Sequence, residues 1–339
     1  MTFFQVDPDI RMAKTLPSEF YTDERFFELS KDRIFSRTWQ FAGREDEFDG
    51  LRPLTLLPGL LDEPLLLSKV ADRVHCLSNV CTHRGKIIVD EPCRPNLIRC
   101  GYHGRRFSLD GKFLSMPEFE GVENFPAEGD NLSAVPLARW ASFLFASVDP
   151  VAAFEEFIAE PSKRIELTQY SKAELKASKD YEVNAHWALY CENYLEGFHI
   201  PFVHHSLNEV LDHGSYSTDT FRYNSLQTGY DKEGRVAAFY LFVFPNLMFN
   251  FYPWGISVNV VRPIDRGRSV VSFITYVSDE SRFDEGAGND LHRVELEDEA
   301  VVESVQKGIR SRFYTQGRYS PTREQGTHHF HRLIAEFME

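Results

Sequence analysis

CTHRGKIIVDEPCRPNLIRCGYHG, running from Cys81 to Gly104, holds two Cys–His pairs, Cys81 with His83 and Cys100 with His103, and sixteen residues lie between His83 and Cys100. Thiolates and imidazoles together suit either a zinc ion or an iron–sulfur cluster. Spacing separates the two. Zinc loops usually open with two closely spaced cysteines and pair their histidines, whereas here each short loop supplies one of each. That distribution fits a two-iron cluster to which each loop gives one ligand per iron, two Cys on one and two His on the other. Glycines at 85, 101 and 104 let both loops turn tightly and bring backbone N–H groups to cluster sulfurs. A zinc site and a pair of unrelated surface loops remain as the alternatives. Cys76, Cys93 and Cys191 fall outside the pattern and read as packing or free thiols.

The rest of the chain sets limits on this site. A length of 339 residues allows about two domains. Apolar residues make up 42% and charged residues 26%, the balance of a globular protein. The formal net charge of −14 argues against nucleic acid or an anionic membrane as partner. No apolar run approaches the ~18 residues of a membrane helix, and no secretory signal opens the chain. Five cysteines, an odd and widely spaced set, are not a disulfide framework. A reducing, cytoplasmic location is the expectation.

Residues 20–36 have the spacing of an amphipathic helix, with Asp23 and Glu24 suited to its start. From about 39 to 148, short apolar runs punctuated by Gly, Pro and Asp predict a small all-β module carrying both Cys–His pairs. The expected organisation is thus an N-terminal helical segment (1–38), a β domain (39–148) and a second domain (149–339). In the last, a helix is predicted from about 186 to 200, aromatic-rich strands from 237 to 279, and a long helix from about 290 to 313. The tail QGTHHFHRLIAEFME, with His328, His329 and His331, reads as a solvated segment.

NAHWALYCENYLEGFHIPFVHHSL (184–207) carries a second constellation. On a helix Glu196 and His199 share a face. His199 and His204 would stand about 140° apart on a straight helix, and Pro201 is expected to break it so that His204 swings back. His205 is the rival ligand. Two imidazoles and one carboxylate make the open facial triad of non-haem iron. Along VELEDEAVVESVQKGI, Val302, Val305 and Ile309 form an apolar stripe, and Asp298 lies within about 40° of its centre. A carboxylate on a core-facing stripe must be paired or metal-bound. Glu295 shares that face and competes with it, and an acid in a helix's first turn can simply answer the dipole.

With both constellations in one chain, the sequence resembles the catalytic α subunits of Rieske non-haem iron oxygenases, from about Thr15 to the end. The segments 244–263 and GRYSPTREQGTHHFHRL (317–333) are similar to the choline monooxygenase, betaine and carnitine oxygenase branch. The resemblance implies an α+β fold: a small all-β Rieske domain and a helix-grip (START-like) catalytic domain, a curved antiparallel sheet around a long helix. It implies that Cys81, His83, Cys100 and His103 bind a [2Fe–2S] cluster, and that His199, His204 and Asp298 bind mononuclear Fe(II). Glu196 falls where the family has a carboxylate carrying electrons between subunits, and Asn193 joins it as a catalytic residue. A homotrimer or a multiple of it is implied, as is electron supply from NAD(P)H through a separate reductase or ferredoxin. Gly101, Arg106, His186 and Ala188 depart from the usual residues, but no ligand is lost.

The expected function is therefore O2-dependent hydroxylation or demethylation of a small organic substrate, with a quaternary ammonium compound favoured. Phe249, Phe251, Tyr252 and Trp254 are the candidate pocket: an aromatic cage for a cation, a wall for a flat ring, or plain core. An aromatic-acid hydroxylase and a Rieske electron-transfer protein without oxygenase activity are the alternatives.

Overall fold

The computed structural model describes residues 4–197, 199–203, 216–231, 233–282 and 291–339. The chain divides into two compact units, Ser36–Val151 and the pair of segments Met1–Phe35 with Ala152–Glu339.

The 36–151 unit is built of β1 (Gln40–Arg44), β2 (Leu51–Leu56), β3 (Glu63–Val70), β4 (Arg73–Ser78), β5 (Ile98–Arg99), β6 (Arg106–Phe107), β7 (Phe113–Ser115), β8 (Leu137–Trp140) and β9 (Phe143–Ala146). They form three small antiparallel sheets, ordered β1-β9-β8, β2-β3-β4 and β5-β6-β7. Leu65, Leu66 and Leu67 in β3 are all fully buried, because β3 is the central strand of its sheet and both faces are covered. Leu66 joins Leu51, Leu77, Ile98 and Phe107 in one core that also takes in Cys81 and Cys100, while Leu65 and Leu67 pack with Leu144 and Cys76 in another.

The other unit opens with α1 (Ser18–Thr22) and α2 (Glu24–Arg33). The single helix expected over 20–36 is split at Asp23, whose extended backbone and side-chain acceptor make it the N-cap of α2. Next come α3 (Phe154–Ser162), β10 (Glu174–Val183), α4 (Trp187–Tyr194), α5 (Ile200–Val203), β11 (Ser217–Thr220), β12 (Asn224–Tyr230), β13 (Val236–Val243), β14 (Leu247–Tyr252), β15 (Gly255–Asp265), β16 (Arg268–Val277), α6 (Leu291–Gly308) and α7 (Gln325–Met338). The strands form one antiparallel sheet ordered β10-β16-β15-β14-β13-β12-β11.

Three expectations are corrected. The helix predicted to reach residue 200 stops at Tyr194, and Pro201 does not break it; Pro201 sits in the first turn of α5, where proline's missing N–H costs nothing. The C-terminal segment is not a solvated tail. Phe330, Leu333, Ile334, Phe337 and Met338 recur at helical spacing and are buried along α7, with His328 and His331 buried among them. On α6 the apolar stripe is incomplete. Val302 and Ile309 are buried but Val305 is 43% exposed, and the buried face is continued by Glu295 and Gln306.

Polar contacts hold α4 and its lead-in to α6. The Asn184 amide donates to Glu303 Oε1 (2.8 Å), the His186 N–H to Gln306 Oε1 (2.7 Å), Tyr190 Oη to Glu295 Oε2 (2.5 Å) and Asn193 Nδ2 to Asp298 Oδ1 (2.6 Å). His186, lowered to about 3 by burial, is neutral, and its Nδ1 accepts the Ala188 N–H as the N-cap of α4.

At the β15 entry, a Cβ on Gly255 would lie 2.1 Å from the Tyr276 carbonyl oxygen and 3.0 Å from Val277 Cα. Glycine is therefore required for β15 and β16 to pair. Gly255→Ala should destabilise this unit by about 1–3 kcal/mol in denaturant unfolding; an unchanged midpoint would show that the strand pair can part without penalty.

Candidate functional site

Two sites emerge, one per unit. In the 36–151 unit the two Cys–His loops are conformational copies. Cys81 N–H donates to Lys86 O (2.9 Å) and Gly85 N–H to Cys81 O (2.9 Å); Cys100 N–H donates to Arg105 O (2.8 Å) and Gly104 N–H to Cys100 O (3.1 Å). Gly85 and Gly104 occupy the same loop position with φ of +69° and +75°, the left-handed region that glycine enters without strain. The third residue of each loop points its N–H at the thiol two positions earlier, His83 to Cys81 and Tyr102 to Cys100 (3.5 Å).

The thiols are buried, while His83 is half-buried and His103 exposed, with ring centroids 4.8 Å apart. Burial and the neighbouring Cys100 push the Cys81 thiol up. Partial burial and the facing His103 lower His83, which favours the neutral ring that coordinates metal. Among the described residues, no group of three or more His, Cys, Asp or Glu is placed to hold one metal ion. The donors here form a thiol pair and an imidazole pair, the set that suits two irons rather than one.

Arg105 braces the loops. Its buried guanidinium donates to Asp130 Oδ1 (2.6 Å) and Asp130 O (3.0 Å), and lies 4.8 Å from the Phe113 ring centroid. Thr82 Oγ1 donates to the same Asp130 carbonyl (2.9 Å), so one residue ties both loops.

In the other unit, a cavity of about 120 Å³ opens between the sheet, the α4–α5 segment and α6. The structure brings Asn193, Glu196, His199 and Asp298 together at its wall. Glu196 and His199 meet through a non-helical turn rather than along a helix face: Glu196 Oε1 lies 2.6 Å from His199 Nδ1, and the His199 N–H donates to Glu196 Oε2 (3.2 Å). A carboxylate only accepts, so this bond puts the ring proton on Nδ1 and the lone pair on Nε2. Nε2 lies 3.6 Å from Asp298 Oδ1, the oxygen that Asn193 also holds. Glu295 lies one turn earlier on α6 and is bonded to Tyr190. His204 and its rival His205 lie outside the described residues.

The aromatic quartet expected from the sequence is corrected. Only Tyr252 lines the cavity. Phe249 and Phe251 alternate with Asn250 and Tyr252 along β14 and so face the other side, where Phe251 packs 5.5 Å from Tyr170. Trp254 is fully buried and stacks behind Tyr252 (4.9 Å, 10°). The cavity takes its other rings instead from Tyr190, Tyr194, Tyr216, Tyr240 and Phe273, which sequence reasoning missed. Register exposes the pattern: Gln227, Tyr240, Asn250 and Ser257 pair across four strands and share one face. Tyr194 Oη donates to Asn250 Oδ1 (2.8 Å) and Tyr216 Oη to Gln227 Oε1 (3.0 Å), fixing both rings. Burial pushes Tyr240 up to about 12 and Tyr194, Tyr216 and Tyr252 further, so all four phenols stay neutral. A Cβ on Gly197 would stand 3.1 Å from the Tyr216 ring, a tight contact.

The C-terminal histidines lie apart from the described cavity lining. His331 pairs with Tyr319 Oη (2.6 Å), and its Nε2 lies 3.1 Å from Glu192 Oε1 without hydrogen-bond alignment. Glu192 also accepts from Tyr21 Oη (2.7 Å). Among the described residues, no helix is long and apolar enough to cross a membrane.

Residues 38–126 match the Rieske [2Fe-2S] domain family, and residues 212–339 match the ring hydroxylating alpha subunit catalytic domain. The chain is 30% identical to the carnitine monooxygenase oxygenase subunit of Escherichia coli (strain K12), over 96% of its own length and 94% of the relative's. It is 29% identical to a chloroplastic choline monooxygenase of Arabidopsis thaliana, over 97% and 85%. The solved structure of the quaternary ammonium Rieske monooxygenase CntA in complex with L-carnitine superposes with a TM-score of 0.81 at 25% identity, covering 98% of this chain and 97% of that one.

The Ala127 N–H, then Arg105, holds the Asp130 carboxyl below its usual range. Its contribution to stability is present above the ordinary carboxylate value near 4 and is lost as pH falls through the depressed one. Asp130→Asn should lower the melting temperature at pH 7, and should lose less than the parent on acidification to about pH 3. Equal acid sensitivity of the two would remove Asp130 from the account.

Proposed function

The chain belongs to the Rieske non-haem iron oxygenases, as a catalytic α subunit related to the carnitine monooxygenase oxygenase subunit, and on that premise we propose that it oxygenates a small quaternary ammonium substrate. Its cofactors are a Rieske [2Fe–2S] cluster and a mononuclear non-haem iron. In this reading Cys81 and Cys100 hold one cluster iron, His83 and His103 the other, and His199, His204 and Asp298 the mononuclear iron. Support for the first set comes from the matched loops with their thiol and imidazole pairs. The approach of His199 Nε2 and Asp298 Oδ1 supports the second. When bound, these groups supply one-electron transfer and the activation of O2.

The residues around them have separable tasks. Asn193 fixes the Asp298 carboxylate by its amide hydrogen bond, and Glu196 fixes the His199 tautomer. Glu196 is also the carboxylate through which electrons enter from a neighbouring subunit's Rieske histidine, which requires a homotrimer or a multiple of it. The electrons originate from NAD(P)H in a separate reductase or ferredoxin system. Monooxygenation consumes O2, two electrons and two protons, putting one oxygen atom into a substrate C–H bond and releasing the other as water.

The cavity carries the substrate assignment. Five neutral tyrosines, Tyr190 among them, and the acids Glu196, Glu295 and Asp298 line it, and no lysine or arginine does among the described residues. Electron-rich rings and acids attract a cation. An aromatic acid would instead need a basic partner for its carboxylate.

A single-turnover assay on chemically reduced holoprotein tests this. With O2 and a pool of quaternary amines, hydroxylated or demethylated amine is expected together with cluster oxidation. Product formed only from a pool of aromatic acids would overturn the substrate class. His199→Ala should keep the cluster spectrum but lose about one iron per chain and all turnover; full iron content in that variant would refute its role as ligand.

A further inference from the structure

The cavity holds one polar atom that the proposed chemistry leaves unused. Glu295 on α6 is 2% exposed and lines the cavity. Tyr190 Oη donates to its Oε2 at 2.5 Å, but its Oε1 is buried and has no hydrogen-bond partner among the described residues. The other polar groups there are engaged: Asp298 with Asn193, Glu196 with His199, Asn250 with Tyr194 and Gln227 with Tyr216. A buried carboxyl oxygen without a partner is costly, and one that lines a cavity is placed for a ligand to complete it.

The surroundings decide what kind of ligand. Burial pushes the Glu295 carboxyl well up; the Tyr190 hydrogen bond opposes this, and Asp298 and Glu299 on the same helix add to it. Glu196 and His199 line the cavity from the α4–α5 segment, Tyr240 and Tyr252 from the sheet. Every ionisable group named here is an acid, a phenol or an imidazole. A positive charge entering the cavity would relieve the Glu295 carboxyl, whereas a second anion would be repelled.

We propose that Glu295 is the specificity-determining residue of the cavity: its Oε1 faces the quaternary nitrogen of the substrate and selects cationic substrates over neutral ones of the same shape. This rests on the quaternary ammonium reading. Tyr190 is the positioning residue, since its hydroxyl holds Oε2 and so turns Oε1 toward the ligand. The tyrosine rings accept the methyl groups of either a charged or a neutral ligand by contact, and the carboxylate supplies the discrimination by charge.

The test compares choline with 3,3-dimethylbutan-1-ol, its uncharged isostere with carbon in place of nitrogen. Dissociation constants are measured anaerobically on the holoprotein and on Glu295→Gln. The parent should prefer the cation, and the variant should reduce that preference on the order of tenfold or more. The variant's affinity for the neutral isostere should stay within about threefold, a result that mere disruption of the pocket would not give. Tyr190→Phe should weaken the preference in the same direction by a smaller factor. If Glu295→Gln keeps the parent's preference, the inference is overturned while the quaternary ammonium reading stands. If the parent binds choline and the isostere alike, or binds no member of the quaternary amine pool, the quaternary ammonium reading fails and the inference falls with it.

Discussion

Leaving a buried polar group unpaired is costly, and the pairing of those on α6 places the helix. Its inward face carries Glu295, Asp298 and Gln306, with Val302 and Ile309 supplying the apolar contacts. Asparagine, histidine and tyrosine groups spread from Asn184 to Asn193 answer them. Sliding α6 by one turn would shift each group by about 5.4 Å and break all four contacts. Breaking the two buried ones, the His186 N–H with Gln306 and Tyr190 with Glu295, would each leave a buried donor or acceptor costing about 1–3 kcal/mol. The helix therefore has one seat, and the position of Asp298 against His199 is inherited from it. Hydrophobic packing alone would tolerate a range of seats.

The same rule works at smaller scale around the Cys–His loops. Each loop closes on itself through its cysteine's backbone, and glycine takes the one left-handed position. Arg105 and Asp130 then hold the two loops at a common distance from one carbonyl. The thiols gain burial from the core beneath them, while the imidazoles are more exposed, His83 half-buried and His103 exposed.

How far the sequence disclosed this depends on the kind of signal. The pairing of the Cys81/His83 and Cys100/His103 loops is legible because their chemistry and spacing are local. The placement of Asp298 at the cavity is legible because a carboxylate near a helix's apolar stripe demands a partner. The arrest of α4 at Tyr194 was hidden, since Leu195 and Glu196 are good helix formers and the Tyr216 ring beside Gly197 is brought in by folding. The α7 helix was obscured by its histidines, which look polar in sequence but are buried against Tyr319 and Asp7. The cavity rings were misassigned because LMFNFY is buried on both faces, so alternation leaves no hydropathy trace along β14. Only Asn250 marks the cavity side, and its meaning depends on the tyrosine that reaches it.

The two faces of β14 also have separate fates in evolution. Asn250 and Tyr252 touch the cavity, whereas Phe249 and Phe251 build the core behind it. Tyr240 and Asn259 stand on the cavity side of the adjoining strands. A substitution at any of these cavity positions changes what is recognised and leaves the opposite packing layer intact. His199 and Asp298, on the α4–α5 segment and on α6, lie off the sheet and are untouched as well. Such a scaffold can reach a new substrate through single changes that each leave a folded, metal-loaded protein. Selection can therefore explore the binding surface without crossing a valley of unfolded intermediates.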